Sequence, residues 1–95
     1  MATKQPLKRR PVYLVIMDYS CGQDIEVYST LPKAQKRLKY HLERLIKEGD
    51  LSEKPSVLRK RFKENNKTAF SVDKKSDYDT CLYTIYGSIQ EKPIW

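Results

Sequence analysis

The chain has 95 residues with a formal charge of +7 and a hydrophobic fraction of 39%, enough for one domain with one core and too apolar for a disordered chain. No apolar run approaches the roughly 18 residues of a membrane span. Two cysteines, Cys21 and Cys81, and a single histidine, His41, fall short of the four N/S ligands of a zinc site, so reduced, small apolar thiols near strand ends are expected, with no metal and no cofactor.

Residues 1–10, "MATKQPLKRR", carry +4 and read as a flexible basic arm, ended by Pro11. No 7–15-residue apolar stretch of the signal-peptide kind follows them. An intracellular, cytoplasmic protein with no membrane association is therefore expected. Residues 11–95 are expected to form a single α+β domain.

"PVYLVIMDYS" is a predicted strand, rich in β-branched and aromatic residues and apolar on both faces, as a central strand would be. "SCGQD" is a turn around Gly22, and "DIEVYST" a second strand that completes a hairpin. Ile25 and Val27 lie on one of its faces, Glu26 and Tyr28 on the other. Ser29 or Thr30 then offers an N-cap oxygen, Pro32 suits a first helical turn, and Gly49 suits a helix end. Between them Ala34, Leu38, Leu42, Leu45 and Ile46 recur at helical spacing.

The stretch "DLSEKPSVLRKRFKENN" admits two assignments. Pro55 can open a second helix with Leu58 and Phe62 facing inward, ended by Asn65 and Asn66. As a strand, "SVLRKRF" would put cations on both faces, so the helix is preferred. "KTAFSV" is a short strand, "DKKSDYD" a solvated loop, and "TCLYTIYGSIQ" a longer strand. The order is β-β-α-α-β-β. The simplest packing is a four-stranded antiparallel sheet with the helices packed on one face.

No nucleophile–base pair, glycine-rich phosphate loop or calcium-loop spacing occurs, so no catalysis is expected. His41, at the border of the helix core, is expected to be a packed or half-exposed histidine. The chemistry on offer is charge. Residues 31–63 carry +7. Projected on a helix, Lys33, Lys36, Arg37, Tyr40, Arg44 and Lys47 fall within a roughly 100° arc opposite the apolar stripe. The arc holds five cations and no acid, although the like-charge pair Lys33–Arg37 at i, i+4 costs roughly 0.2–0.5 kcal/mol. Two readings stay open, a contact surface and a solvated face. A second cluster, "RKRFK", adds Arg59 and Arg61. Phosphates are the simplest partner for both clusters, and an acidic protein surface would satisfy the same charges.

A further expectation concerns the sheet. With the helices over Leu14, Ile16, Val27 and Ile85, the opposite face would present Tyr13, Val15, Met17, Tyr28, Leu82 and Tyr86. Such a face is too apolar to be merely wetted. It lacks the aromatic strand motif of RNA-recognition sheets, so a homodimer or a protein partner through Tyr13, Met17, Tyr28 and Tyr86 is the favoured occupant.

"PVYLVIMDY", "DIEVYSTLPKAQKRL" and the tyrosine-rich "TCLYTIYG" give a layout that resembles the small single-domain accessory proteins of bacteriophages and other mobile elements. The resemblance, over residues 11–90, is one of size and style. It implies a binder acting on a host complex: an inhibitor of a nuclease-based defence, such as an anti-CRISPR, or a modulator of transcription. Many such inhibitors are acidic DNA mimics. This basic chain departs from them, which favours capture of nucleic acid, a ribonucleoprotein or an acidic protein groove. A protein–protein inhibitor working through the tyrosine face is the alternative.

Overall fold

The computed structural model describes residues 11–19, 21–75 and 82–93. The expected basic arm, Cys81 and most of the "DKKSDYD" loop lie outside the described residues. The elements are β1 (Pro11–Tyr19), β2 (Gly22–Tyr28), α1 (Leu31–Glu48), α2 (Pro55–Glu64), β3 (Ala69–Lys75) and β4 (Leu82–Pro93). The fold is α+β, as expected, with two helices and one antiparallel sheet in the order β2-β1-β4-β3. Two hairpins are thus joined through the first and last strands.

The ambiguous stretch is a helix, and the strand alternative is set aside. Pro55 opens α2, and Asn65 donates its N–H to the Arg61 carbonyl at its end. Strand β3 runs on through Asp73–Lys75, which the sequence pattern assigns to a loop. The reason lies outside the strand. The N–H of Ser52 donates to the Asp73 carbonyl and that of Lys75 to the Asp50 carbonyl, so residues 50–52 cover the outer edge of β3. The outer edge of β2 has no such cover among the described residues.

The core forms where the apolar stripe of α1 meets the sheet. Ala34, Leu38, Leu42 and Leu45 of α1, Leu58 and Phe62 of α2, and Val15, Met17, Phe70, Val72 and Ile85 of the strands are all buried. Gly87 of β4 lies beneath Phe70. A Cβ there would stand 2.5 Å from Phe70 Cε2 and 3.0 Å from Leu38 Cδ1, so the bare backbone is what lets the ring approach the sheet this closely.

The buried sheet face is the opposite of the expected one for β1 and β2. The register pairs Tyr13 with Tyr28, Val15 with Glu26, and Val15 with Ile89. Tyr13, Val15, Met17, Glu26 and Tyr28 therefore share the helix side with Ile85. Met17 is 1% exposed, and Tyr13 and Tyr28 pack against the core. The open face instead carries Val12, Leu14, Ile16, Ile25, Val27 and Tyr86, with Ile25 55%, Val27 61% and Tyr86 56% exposed. A tyrosine face formed by Tyr13, Met17, Tyr28 and Tyr86 does not exist; of the four, only Tyr86 is on the open side. Apolar residues on both faces of β1 leave its orientation undetermined by alternation, and a one-residue slip inverts a strand.

Candidate nucleic-acid interface

Helix α1 has two flanks beside its buried stripe, one toward β2 and one toward α2. On the β2 flank, Arg37 grips the Glu26 carboxylate. Its Nε donates to both oxygens at 3.0 and 3.1 Å, and Nη2 lies 3.0 Å from Oε2. His41, 8% exposed, places Nε2 2.9 Å from the same carboxylate. A hydrogen on Nε2 makes it the donor to Glu26 and leaves the buried Nδ1 without a partner. The hydrogen bonds from Arg37, aided by His41 and opposed by partial burial, hold Glu26 below the usual carboxylate range. This cluster explains the sheet face: an acid on an edge strand points toward the helix because two cationic or donor side chains wait for it. It also relieves the repulsion between Lys33 and Arg37.

The other described arginines are similarly engaged. Arg44 donates to Glu48 at 2.9 Å and to the Tyr19 hydroxyl at 3.0 Å. Arg59 makes a two-point contact with Glu43, both bonds at 2.8 Å, and holds Glu43 below its ordinary range. Arg61 binds Glu53 the same way. Lys74 bonds Glu48 at 2.9 Å, which lowers the glutamate and raises the lysine. Every arginine of the described residues thus has a carboxylate partner within the fold, Arg44 sharing Glu48 with Lys74. Of the expected phosphate-contacting residues, Arg37, Arg44, Arg59 and Arg61 are first of all structural ties.

The lysines differ. Lys33, Lys36 and Lys47 of α1 are exposed, and none makes an ion pair among the described residues. The same holds for Lys39, Lys60, Lys63 and Lys67. These four, with the Glu43–Arg59 pair, line a groove of about 640 Å³ between α1 and α2. Glu43 offsets Arg59, so the groove retains the charge of four lysines. Projection of a single helix finds only a stripe and misses a concavity that two helices build. A visible signal is the "RKRFK" run, in which Lys60 and Lys63 are the unpaired groove lysines, Arg59 lines the groove while tied to Glu43, and Arg61 is tied to Glu53.

Lys67 is unusual in its backbone. Its φ is 59°, after Asn66 at 57°, in the left-handed region that costs a side-chain-bearing residue about 1–2 kcal/mol. Asn tolerates this conformation; lysine is an uncommon choice for it. Its N–H donates to the Phe62 carbonyl at 2.9 Å, which fixes the turn and sets the side chain at the groove.

Tyr40 is 52% exposed on the outward side of α1. It stands between a hollow of about 360 Å³ shared with Tyr28, Lys33, Lys36 and Arg37, and one of about 280 Å³ shared with Glu43, Arg44 and Lys47. Among the other singled-out residues, Cys21 is a free cysteine, exposed in the turn between the ends of β1 and β2. No three His, Cys, Asp or Glu side chains of the described residues gather in a metal-binding cluster. No helix among them is long and apolar enough to cross a membrane. Comparison with protein-family models, curated proteins and solved structures gives no match for this chain.

Proposed function

We propose that this is a small non-enzymatic binding protein that contacts nucleic acid or a ribonucleoprotein through its basic helical layer. In this reading it modulates a host nucleic-acid-handling complex in the host cytoplasm, such as a defence nuclease, in the manner of phage accessory proteins of the anti-CRISPR type. The observation that carries it is the sorting of cations. Among the described residues the arginines are engaged internally, whereas lysines are left without ion pairs around one groove and along the adjoining face of α1. Uncompensated cations in a concavity match a phosphate backbone, which they bind by displacing its counterions. The strained position of Lys67 supports the same reading, since glycine would fit that turn at lower cost and bring no charge.

The test is binding of a labelled nucleic acid as a function of salt. With four groove lysines on phosphates, log affinity should fall against log salt with a slope of about −3.6 on duplex DNA, or about −2.8 on a single strand. Reversing Lys39, Lys60 and Lys63 to Glu should weaken binding and flatten the slope. Reversing Lys75 and Lys92, which the register puts on the open sheet face, should do much less per charge. Equal loss from both sets would reduce the groove to a contribution to net charge.

A second reading rests on the open sheet face. Ile25 and Val27 are more than half exposed beside Leu14 and Ile16, which favours a protein partner there. Ile25→Glu with Val27→Glu should abolish such a complex and leave nucleic-acid affinity unchanged.

A further inference from the structure

The stripe on α1 contains one residue that charge alone does not explain. Tyr40 is a large aromatic in the midst of Lys33, Lys36 and Lys47, half in solvent, and it is not loose. The Arg37 guanidinium carbon sits 4.5 Å from its ring centroid. Arg37 is in turn pinned by the Glu26 carboxylate. The His41 ring, held by that same carboxylate, meets Tyr40 edge-on at 5.7 Å and 69°. One face of the phenol ring is thus backed by a cation, and its edge is set by an imidazole. The other face is what the ring has to offer. An exposed side chain with no binding role has no need of two partners fixing its plane.

The cations around it sit at intervals that suit a strand. At 1.5 Å rise per residue, Lys36 is about 6 Å before Tyr40 along the helix and Lys47 about 10 Å after it. Lys33, Tyr40 and Lys47 recur every seven residues and so share one line on the helix surface. A flat ring of fixed orientation between uncompensated lysines combines a stacking surface with a track for phosphates, the two elements of single-strand recognition. Base pairs inside a duplex are already stacked on both sides and cannot use such a ring.

We infer that Tyr40 is a stacking platform for a nucleobase of a single-stranded nucleic acid, with Lys33, Lys36 and Lys47 on the flanking phosphates. This rests on the nucleic-acid reading of the helical layer and narrows it to single strands. The contribution of a stacked base, about 1–3 kcal/mol, corresponds to about 5- to 150-fold in affinity.

The experiment uses three labelled probes of equal length: a single-stranded oligonucleotide, the same backbone made abasic, and a duplex. The abasic strand keeps the phosphates and lacks the bases. The wild type should bind the base-bearing strand at least fivefold more tightly than the abasic one. Tyr40→Ala should erase that gap and leave duplex affinity within twofold, while Tyr40→Phe should keep the gap. Equal binding of base-bearing and abasic strands by the wild type, or a gap that survives Tyr40→Ala, would overturn the platform while leaving the lysine groove as a phosphate site. Failure to bind any of the three probes would overturn the nucleic-acid reading itself, and the platform with it.

Discussion

The two flanks of α1 carry similar numbers of charged side chains and put them to different uses. Toward β2, Arg37, His41 and Arg44 reach acids and a tyrosine hydroxyl and close the gap between helix and sheet edge. Toward α2, Glu43 and Arg59 join the helices, and the lysines around them are left without partners. A planar guanidinium satisfies a carboxylate at two points, whereas an ammonium on a long stem is strongly hydrated and remains at the surface. Among the described residues arginine therefore does most of the tying, with Lys74 beside it on Glu48, and the remaining lysines of the helical layer do the presenting.

Perturbations of each region should separate these roles. The largest effect belongs to the core beneath both flanks. Leu42 is fully buried, and Leu42→Ala should cost about 2–5 kcal/mol in denaturant unfolding. Leu42→Asp should prevent folding, readable as loss of cooperative unfolding by circular dichroism. Next comes the β2 flank. Removing Glu26 as Glu26→Gln should cost about 1–2 kcal/mol, between the values for surface and buried ion pairs. Its pH dependence has a definite sign. Because the folded state holds the Glu26 carboxyl below its ordinary range, the pair stabilises the fold above the usual glutamate pKa, and this is lost as pH falls through the depressed folded value. Acid titration of stability should show a shallower decline in Glu26→Gln than in the wild type.

The α2 flank should respond in the opposite sense. Lys67→Gly relieves the left-handed backbone and should stabilise the fold by up to about 1 kcal/mol. The same change removes a groove cation and should flatten the salt slope of binding by somewhat less than one unit. The smallest effect on stability, within about 0.5 kcal/mol, is expected for Lys60→Gln and Lys63→Gln, which lie on the exposed side of α2. Thermal melts read all of these on one scale.

How much of this could be read from the sequence follows from the range of each interaction. Helix α1 was legible because Ala34, Leu38, Leu42 and Leu45, with Pro32 and Gly49 at the ends, are local signals. The α+β class followed from alternating segments in the same way. The inward face of the hairpin was not legible, since Val12, Leu14 and Ile16 are as apolar as Val15 and Met17. Only Arg37 and His41, 11 and 15 residues from Glu26, decide which way β2 turns. The sorting of cations was legible at one place, the i, i+4 pair of Arg44 with Glu48. Arg59 finds Glu43 across 16 residues and Arg61 finds Glu53 across 8, distances over which sequence spacing says nothing about contact. The groove lysines Lys39 and Lys67 come together only once two helices are packed.

The claim that arginines hold the fold while lysines face the partner is tested most directly by reading stability and nucleic-acid affinity in one pair of variants. One replaces Arg37 and Arg44 by Gln, the other Lys39 and Lys63 by Gln, so both lose the same charge. A crossed result is expected. The arginine variant should lose stability while its duplex affinity falls no more than about twofold, and the lysine variant should keep its melting temperature while its duplex affinity falls by tenfold or more at low salt. Loss of both properties in the same variant, or equal loss of affinity in the two, would contradict it.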